Sequence, residues 1–489
     1  MSRQKNIRWS VGLLAASVCT LQPAYSQTTP SRPISAISTS DKEQGAKAHP
    51  ELLREFGGAY SGPQADYVRR VGQRIAVQSR LSNAQSDFTV TLLNSPVDNA
   101  FAMPGGYVYV TRNLLALMND EAELASVMGH EVGHVAARHS QSRNQTSAIG
   151  GILAGVIGAV AGNSTLGSLL GRGANLGAQL YTLKFSRGQE YQADDLGVTY
   201  LARAGYDPLA SSTMLASLAA QNTLQTQISG RSGGAPTWAS THPDPASRVA
   251  RAVTAAKATG ITRGTRGREA FLSAIDGMLY GDDPAQGIVD GQVFRHPGLR
   301  LMFTAPAGFA MNNGTDAVTI TGQGGQASFS GAGYSGDVQS YIAAVFRAIS
   351  PNTAPNVSDP RRFQVNGIDA ASATMRAETQ SGPVDVTVVA YVFDARTAYH
   401  FTLITAAGSG VGPFDSLIGS MNRLTAAEAS AIKSRRVRVV TVTRGDSLKS
   451  LAGRMAYSSM QEERFRVLNA LGPQATVVPG QRVKLIVFG

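Results

Sequence analysis

Tyr67, Val71, Ile75 and Val77 recur at roughly one helical turn, and between residues 88 and 110 the spacing of apolar positions changes to alternation. The first pattern predicts a helix. The second predicts three extended pieces, 88–93, 99–102 and 107–110, with Met103-Pro104-Gly105-Gly106 turning the chain between the last two. Helical spacing returns at Leu124, Val127, Met128 and Val135, and Asp120 with Glu123 predicts a capping box at its start. A further helix is predicted from Glu190 to a stop at Gly205 and Pro208. After Gly264 the pattern is of short alternating strands, such as 299–305, 317–321 and 384–392, with a helix around 338–349. A last extended piece is predicted at 439–443.

The N-terminal residues carry a different signal. Arg3, Lys5 and Arg8 precede a mostly apolar run, 11–21, and Ala24-Tyr25-Ser26 offers small residues before Gln27. The run is about half of the ~20 apolar residues a membrane anchor needs, so residues 1–26 read as a cleaved secretory signal peptide. The only cysteine, Cys19, lies within it, and Val18 before it disfavours acylation there. The mature chain therefore has no thiol, which excludes disulfides and thiolate ligands.

At 489 residues the chain exceeds what one hydrophobic core usually supports. Its 43% hydrophobic and 16% charged residues describe a globular protein. The expectation is a multidomain α+β protein: signal peptide 1–26, a Ser/Thr/Pro-rich linker 27–45, a mainly helical domain with a small sheet at 46–262, a second α+β domain of unknown role at 263–432, and a C-terminal module at 436–489. The formal net charge is +11, of which Arg3, Lys5 and Arg8 carry three, leaving +8. Such a surface suits anionic polymers. Export argues against nucleic acid, leaving cell-wall polymers, anionic lipid or a solvated surface with no partner.

Residues 130–134 read HEVGH. On a helix, His130 and His134 lie one turn apart on one face and can converge on one ion, while Glu131, about 100° round, can reach an activated water. A hydrolytic zinc site needs a third protein ligand and an open position, and without cysteine that ligand is a carboxylate or another histidine. Glu190 is the best candidate. Asp194, one turn beyond it, can orient a ligating imidazole. His139 falls about 140° round from His134 on a continuous helix, which predicts that it is not a ligand.

HEVGH, the later EYQAD, the upstream NAFAMPGG and the downstream THP together resemble the gluzincin zinc metalloprotease family of HtpX and the CAAX prenyl proteases, over about residues 46–255. With a signal peptide and no other spanning segment, the chain is most similar to the soluble periplasmic BepA-like branch. The resemblance implies a zincin-type metallopeptidase domain holding one Zn2+ through His130, His134 and Glu190, with Glu131 as general base. It implies that His242 of the THP motif lies beside the metal, either as a donor to the oxyanion or as a cap in a resting state. Arg248 resembles the family's arginine, which implies a brace for the loop or for the site, and Asn99, Ala100, Phe101 and Ala102 resemble the edge strand that pairs with an extended substrate. Residues 436–489 look like a LysM module, a resemblance that implies βααβ order, although the first strand, 439–443, lacks the usual aromatic.

The expected function is thus an exported endopeptidase cleaving unfolded or misassembled envelope proteins. Its location would be the periplasm, with attachment to outer membrane or wall, and with peptidoglycan as a second partner through the LysM-like module. The alternative is a non-proteolytic chaperone or wall-bound scaffold with a capped metal site. Residues 148–162, AIGGILAGVIGAVAG, are too short and glycine-rich to cross a bilayer and read as a lid, a peripheral membrane contact or a buried hairpin. The module at 436–489 is expected to be separable from the peptidase.

Overall fold

A computed structural model describes residues 36–81, 84–140, 185–229, 238–242, 244–350, 357–379 and 382–489. The expected signal peptide and the apolar stretch 148–162 lie outside these residues. The structure is mixed α+β, and no helix among the described residues is long and apolar enough to cross a membrane.

Composition placed residues 39–45 in a linker, but they form the first turns of a helix, Thr39–Glu55. Ser38 starts it by accepting from the Asp41 amide. Tertiary packing holds it: a Cβ on Gly45 would sit 2.2 Å from the Pro104 carbonyl oxygen and 2.7 Å from the Tyr107 ring, so only glycine lets the helix lie this close to the sheet. The helix predicted near Tyr67 spans Pro63–Ala76 and buries Val68, Val71 and Ile75.

Three strands follow, β1 (Thr89–Leu93), β2 (Ala100–Met103) and β3 (Tyr107–Thr111). β1 runs parallel to β3, β2 antiparallel to it, and the order β1-β3-β2 leaves β2 on the edge. The chain then enters the HEVGH helix, Glu121–Ala136. The Asp120 side chain accepts from the Glu123 amide, as a cap should, but the reciprocal half of the predicted box is missing. Glu123 instead accepts from the Asn119 amide at 2.8 Å. The second site helix, Arg187–Arg203, opens with a full capping box between Ser186 and Gln189.

These two helices cross at glycines. A Cβ on Gly129 would lie 3.2 Å from Gly197 Cα, and one on Gly197 would lie 3.1 Å from the His130 amide nitrogen. The small residues bring the backbones together and so bring Glu190 and Asp194 within reach of both motif histidines.

Residues 288–423 form the second α+β unit. A seven-stranded antiparallel sheet packs the helix Val338–Ile349 on one face through Tyr341, Ile342 and Phe346. Its other face buries Phe329, Tyr391 and Phe401 with Phe294 and Phe303 of a four-stranded sheet.

The C-terminal stretch has the predicted βααβ order: strand Arg435–Thr441, helices Leu448–Ala452 and Gln461–Leu468, and strand Arg482–Phe488. The strands pair antiparallel, and the first also pairs with Leu279–Tyr280. The expectation of a separable module meets a different packing. Val437, Leu451, Phe465, Leu485 and Ile486 belong to the same buried cluster as Val68, Leu124 and Met128 of the peptidase helices.

Candidate active site

His130, His134, Glu190 and His242 each offer one donor atom, all within 4.8 Å of one another, and all four side chains are buried. His130 and His134 come from the HEVGH helix and Glu190 from the first turn of the second site helix. His242 follows a short helical turn, Trp238–Thr241, and its amide donates to the Trp238 carbonyl at 2.9 Å.

Each imidazole has a defined outer partner. His130 Nδ1 lies 3.0 Å from Asp194 Oδ1, which directs His130 Nε2 inward, where it stands 3.0 Å from His134 Nε2. With the outer nitrogens engaged, two lone pairs face each other across that gap. A cation between them, with Glu190 Oε1 3.6 Å from His134 Nε2 and Oε2 3.5 Å from His130 Nε2, resolves the repulsion. The donor set of imidazoles and a carboxylate fits zinc.

Arg248, itself buried, fixes the carboxylates. Its Nε donates to Asp194 Oδ2 at 2.8 Å, its Nη2 to Asp194 Oδ1 at 2.5 Å and its Nη1 to Glu190 Oε2 at 2.7 Å. Burial would raise the Asp194 carboxyl, but the hydrogen bonds from His130 and Arg248 outweigh it and hold the group below the usual carboxylate range. Burial likewise opposes ionisation of Glu190, and the neighbouring His242 and His130 hold it well below that range. Both are anions at neutral pH.

Glu131 is fully buried, and neither of its oxygens has a hydrogen-bond partner among the described residues. His242 Nε2 stands 3.5 Å from its Oε1. Desolvation pushes its carboxyl above the usual range, more than the nearby histidines lower it. A carboxyl of raised basicity, beside the metal donors and without a hydrogen-bond partner among the described residues, suits proton transfer.

His242 faces two ways. Its Nδ1 is 3.1 Å from Glu190 Oε1, within the donor cluster, and its Nε2 is 3.4 Å from the Ala100 carbonyl on the edge strand. The sequence reading of 99–102 needs refining here. The Phe101 side chain is core, packed on Tyr109 and Phe56, so Phe101 and Ala102 can offer a substrate main-chain groups only. Asn99 Oδ1 accepts from the Ala100 amide at 2.9 Å and from Thr241 Oγ1 at 3.3 Å, tying the edge strand to the His242 turn.

Trp238 was not singled out in the sequence. It stacks on His242 at 4.4 Å between ring centroids, and Arg248 lies over its ring. Its signal was present: a tryptophan, one of two in the chain, four residues before a site histidine. His139, excluded as a ligand, is outside the donor cluster but is buried with its Nδ1 2.8 Å from His134 Nδ1.

A sequence profile of Peptidase family M48 matches residues 63–256, which span the four donors, Glu131, Asp194, Trp238 and Arg248. The chain is 31% identical over 256 residues to the mitochondrial metalloendopeptidase OMA1 of Schizosaccharomyces pombe, covering 50% of this chain and 71% of that protein. The chain belongs to Peptidase family M48. It is a zinc metalloendopeptidase, with the buried quartet as the place for one ion. It is also 30% identical over 272 residues to the beta-barrel assembly-enhancing protease of Escherichia coli O157:H7, covering 52% of this chain and 53% of that one. The protein of the same name from Yersinia pestis is 32% identical over 196 residues, covering 38% and 37%. The chain thus spans about half or less of these two bacterial relatives.

Proposed function

We propose that this M48 protein is exported to the bacterial envelope and cleaves unfolded or misassembled proteins there. The observation that carries the reading is the edge strand beside the donor quartet: Ala100 and His242 are in contact, so a peptide added along β2 would run past the metal. Pairing of this kind reads main chain rather than sequence and requires an extended substrate, which folded proteins do not offer. The names of the bacterial relatives agree with an envelope role.

In this reading His130, His134 and Glu190 hold the metal, and Asp194 and Arg248 orient them. When bound, zinc supplies Lewis acidity and lowers the pKa of water. Glu131 accepts the proton of the attacking water and returns it to the leaving amine. The buried walls of Trp238 and Phe185 keep other water from the donors.

The direct test is metal content joined to proteolysis. The mature protein should carry about one zinc and cleave casein, and Glu190→Gln should lose the metal at low free zinc while Asp194→Ala weakens it only ~10 to 100-fold. Full zinc in the purified Glu190 variant would end the third-ligand assignment.

His242 acts as a resting-state cap in this proposal, supported by its Nδ1 lying within the donor cluster. Removing a cap frees the fourth position, so His242→Ala should cleave casein several-fold faster at equal zinc. A zinc-replete variant ~100-fold slower would instead make His242 an oxyanion donor.

The βααβ unit is read as LysM-like, with peptidoglycan as its ligand. Arg436, Arg438, Arg444, Lys449 and Arg454 are exposed on it, a basic surface for a wall polymer. Isolated sacculi should retain the full chain, and retention equal to that of an unrelated basic protein at every salt concentration would remove the glycan idea.

A further inference from the structure

His130 and His134 are supported differently. His130 is held by a carboxylate, whereas the outer nitrogen of His134 meets another imidazole, that of His139. Two neutral imidazoles can share one hydrogen only if something fixes which of them donates. On its far side, His139 Nε2 lies 3.0 Å from Gln192 Oε1. An amide oxygen only accepts, so His139 Nε2 carries a hydrogen and its Nδ1 is left as an acceptor. That Nδ1 accepts from His134 Nδ1–H at 2.8 Å, and the His134 Nε2 lone pair is thereby turned inward towards His130 and Glu190.

We propose that His139 and Gln192 are positioning residues that fix His134 in the tautomer whose Nε2 faces the metal. Local backbone makes the relay. The HEVGH helix ends at Ala136 and Arg138 takes a left-handed conformation, φ 54°, so the chain folds back and His139 does not continue round the helix. Gln192 comes from the helix that also supplies Glu190 and Asp194. That one helix therefore provides a metal donor, the carboxylate behind His130 and the amide behind His139. Phe185, stacked on His134 at 3.6 Å between centroids, holds the ring plane but cannot choose its tautomer.

The inference rests on His134 being a ligand, and the experiment separates the two. Zinc affinity of the full chain is measured by chelator competition, and the visible absorption of the cobalt-substituted protein reports ligand geometry. His139→Leu and Gln192→Leu should each weaken zinc ~10 to 100-fold and alter the cobalt spectrum. Gln192→Glu, which keeps an accepting oxygen, should restore both to near wild type, whereas a packing role would make the two Gln192 variants alike. Gln192 is exposed, so this pair decides the matter even if His139→Leu fails to fold. Wild-type affinity in both leucine variants, with metal lost from a His134→Gln control, would overturn the relay alone. Metal retained at full affinity in the His134 variant would overturn the ligand assignment beneath it.

Discussion

Glu131→Gln should keep its zinc and lose about 10²- to 10⁴-fold in casein cleavage. The change is nearly isosteric, and Glu131 is outside the four-donor cluster, so the ion should stay. What disappears is a basic oxygen. Glu131 is buried, has no hydrogen-bond partner among the described residues and is raised by desolvation, an arrangement that costs stability and helps folding in no visible way. The amide should therefore melt no lower than wild type, which separates lost chemistry from lost structure. The same variant distinguishes the two functional readings. A protease loses its effect with the proton acceptor, while a chaperone with a capped site would suppress aggregation of an unfolded client as well as before. Wild-type cleavage by a zinc-replete Glu131→Gln would sink the base assignment.

How much of this site was legible follows from the distances along the chain over which its parts are encoded. His130, Glu131 and His134 lie within five residues, and helix geometry alone converts their spacing into a face. The lack of a thiol narrowed the third ligand only to a carboxylate or a histidine, and the resemblance carried by EYQAD pointed to Glu190. Gly129 and Gly197 were not legible as a pair, because their contact exists only once two helices separated by a long stretch of chain have crossed. His139 was misplaced by a sound rule applied one turn too far. A continuous helix would put it away from His134, and the left-handed Arg138 breaks that helix. Phe101 shows the same limit in the strand: the sequence located the edge, but only packing on Tyr109 and Phe56 reveals that its side chain is spent on the core.

The C-terminal unit is the clearest case, because its resemblance to a LysM module implies the βααβ order and is silent on what the unit packs against. Lys484 reads as an ordinary strand lysine, yet it is fully buried, and its Nζ donates to the carbonyls of Ala116, Leu117 and Met118 at 2.7, 3.2 and 2.5 Å. Those carbonyls end the short helix Arg112–Leu117, directly before the HEVGH helix. Burial pushes the ammonium well below its ordinary range, and the nearby Glu123 and Asp120 oppose that.

Removing residues 436–489 should therefore leave a chain that does not fold to an active peptidase, contrary to what a separable module predicts. The deletion strips Val437, Leu451, Phe465, Leu485 and Ile486 from a cluster shared with Leu124 and Met128, at ~1.5 to 3 kcal/mol for each buried side chain lost. Several such losses match the whole of a typical stability, ~5 to 15 kcal/mol. Lys484→Met is the finer probe, because it keeps the apolar stem and takes the donor from the Ala116 and Met118 carbonyls, at ~1 to 3 kcal/mol for each group left unsatisfied, while the Leu117 carbonyl still accepts from Asn119 Nδ2 at 3.0 Å. It should lower the urea midpoint, and loss of casein cleavage should follow the same unfolding curve as loss of structure. A soluble truncated protein that holds zinc and cleaves casein at the wild-type rate would show that the C-terminal unit only rests against the peptidase and does not complete its core.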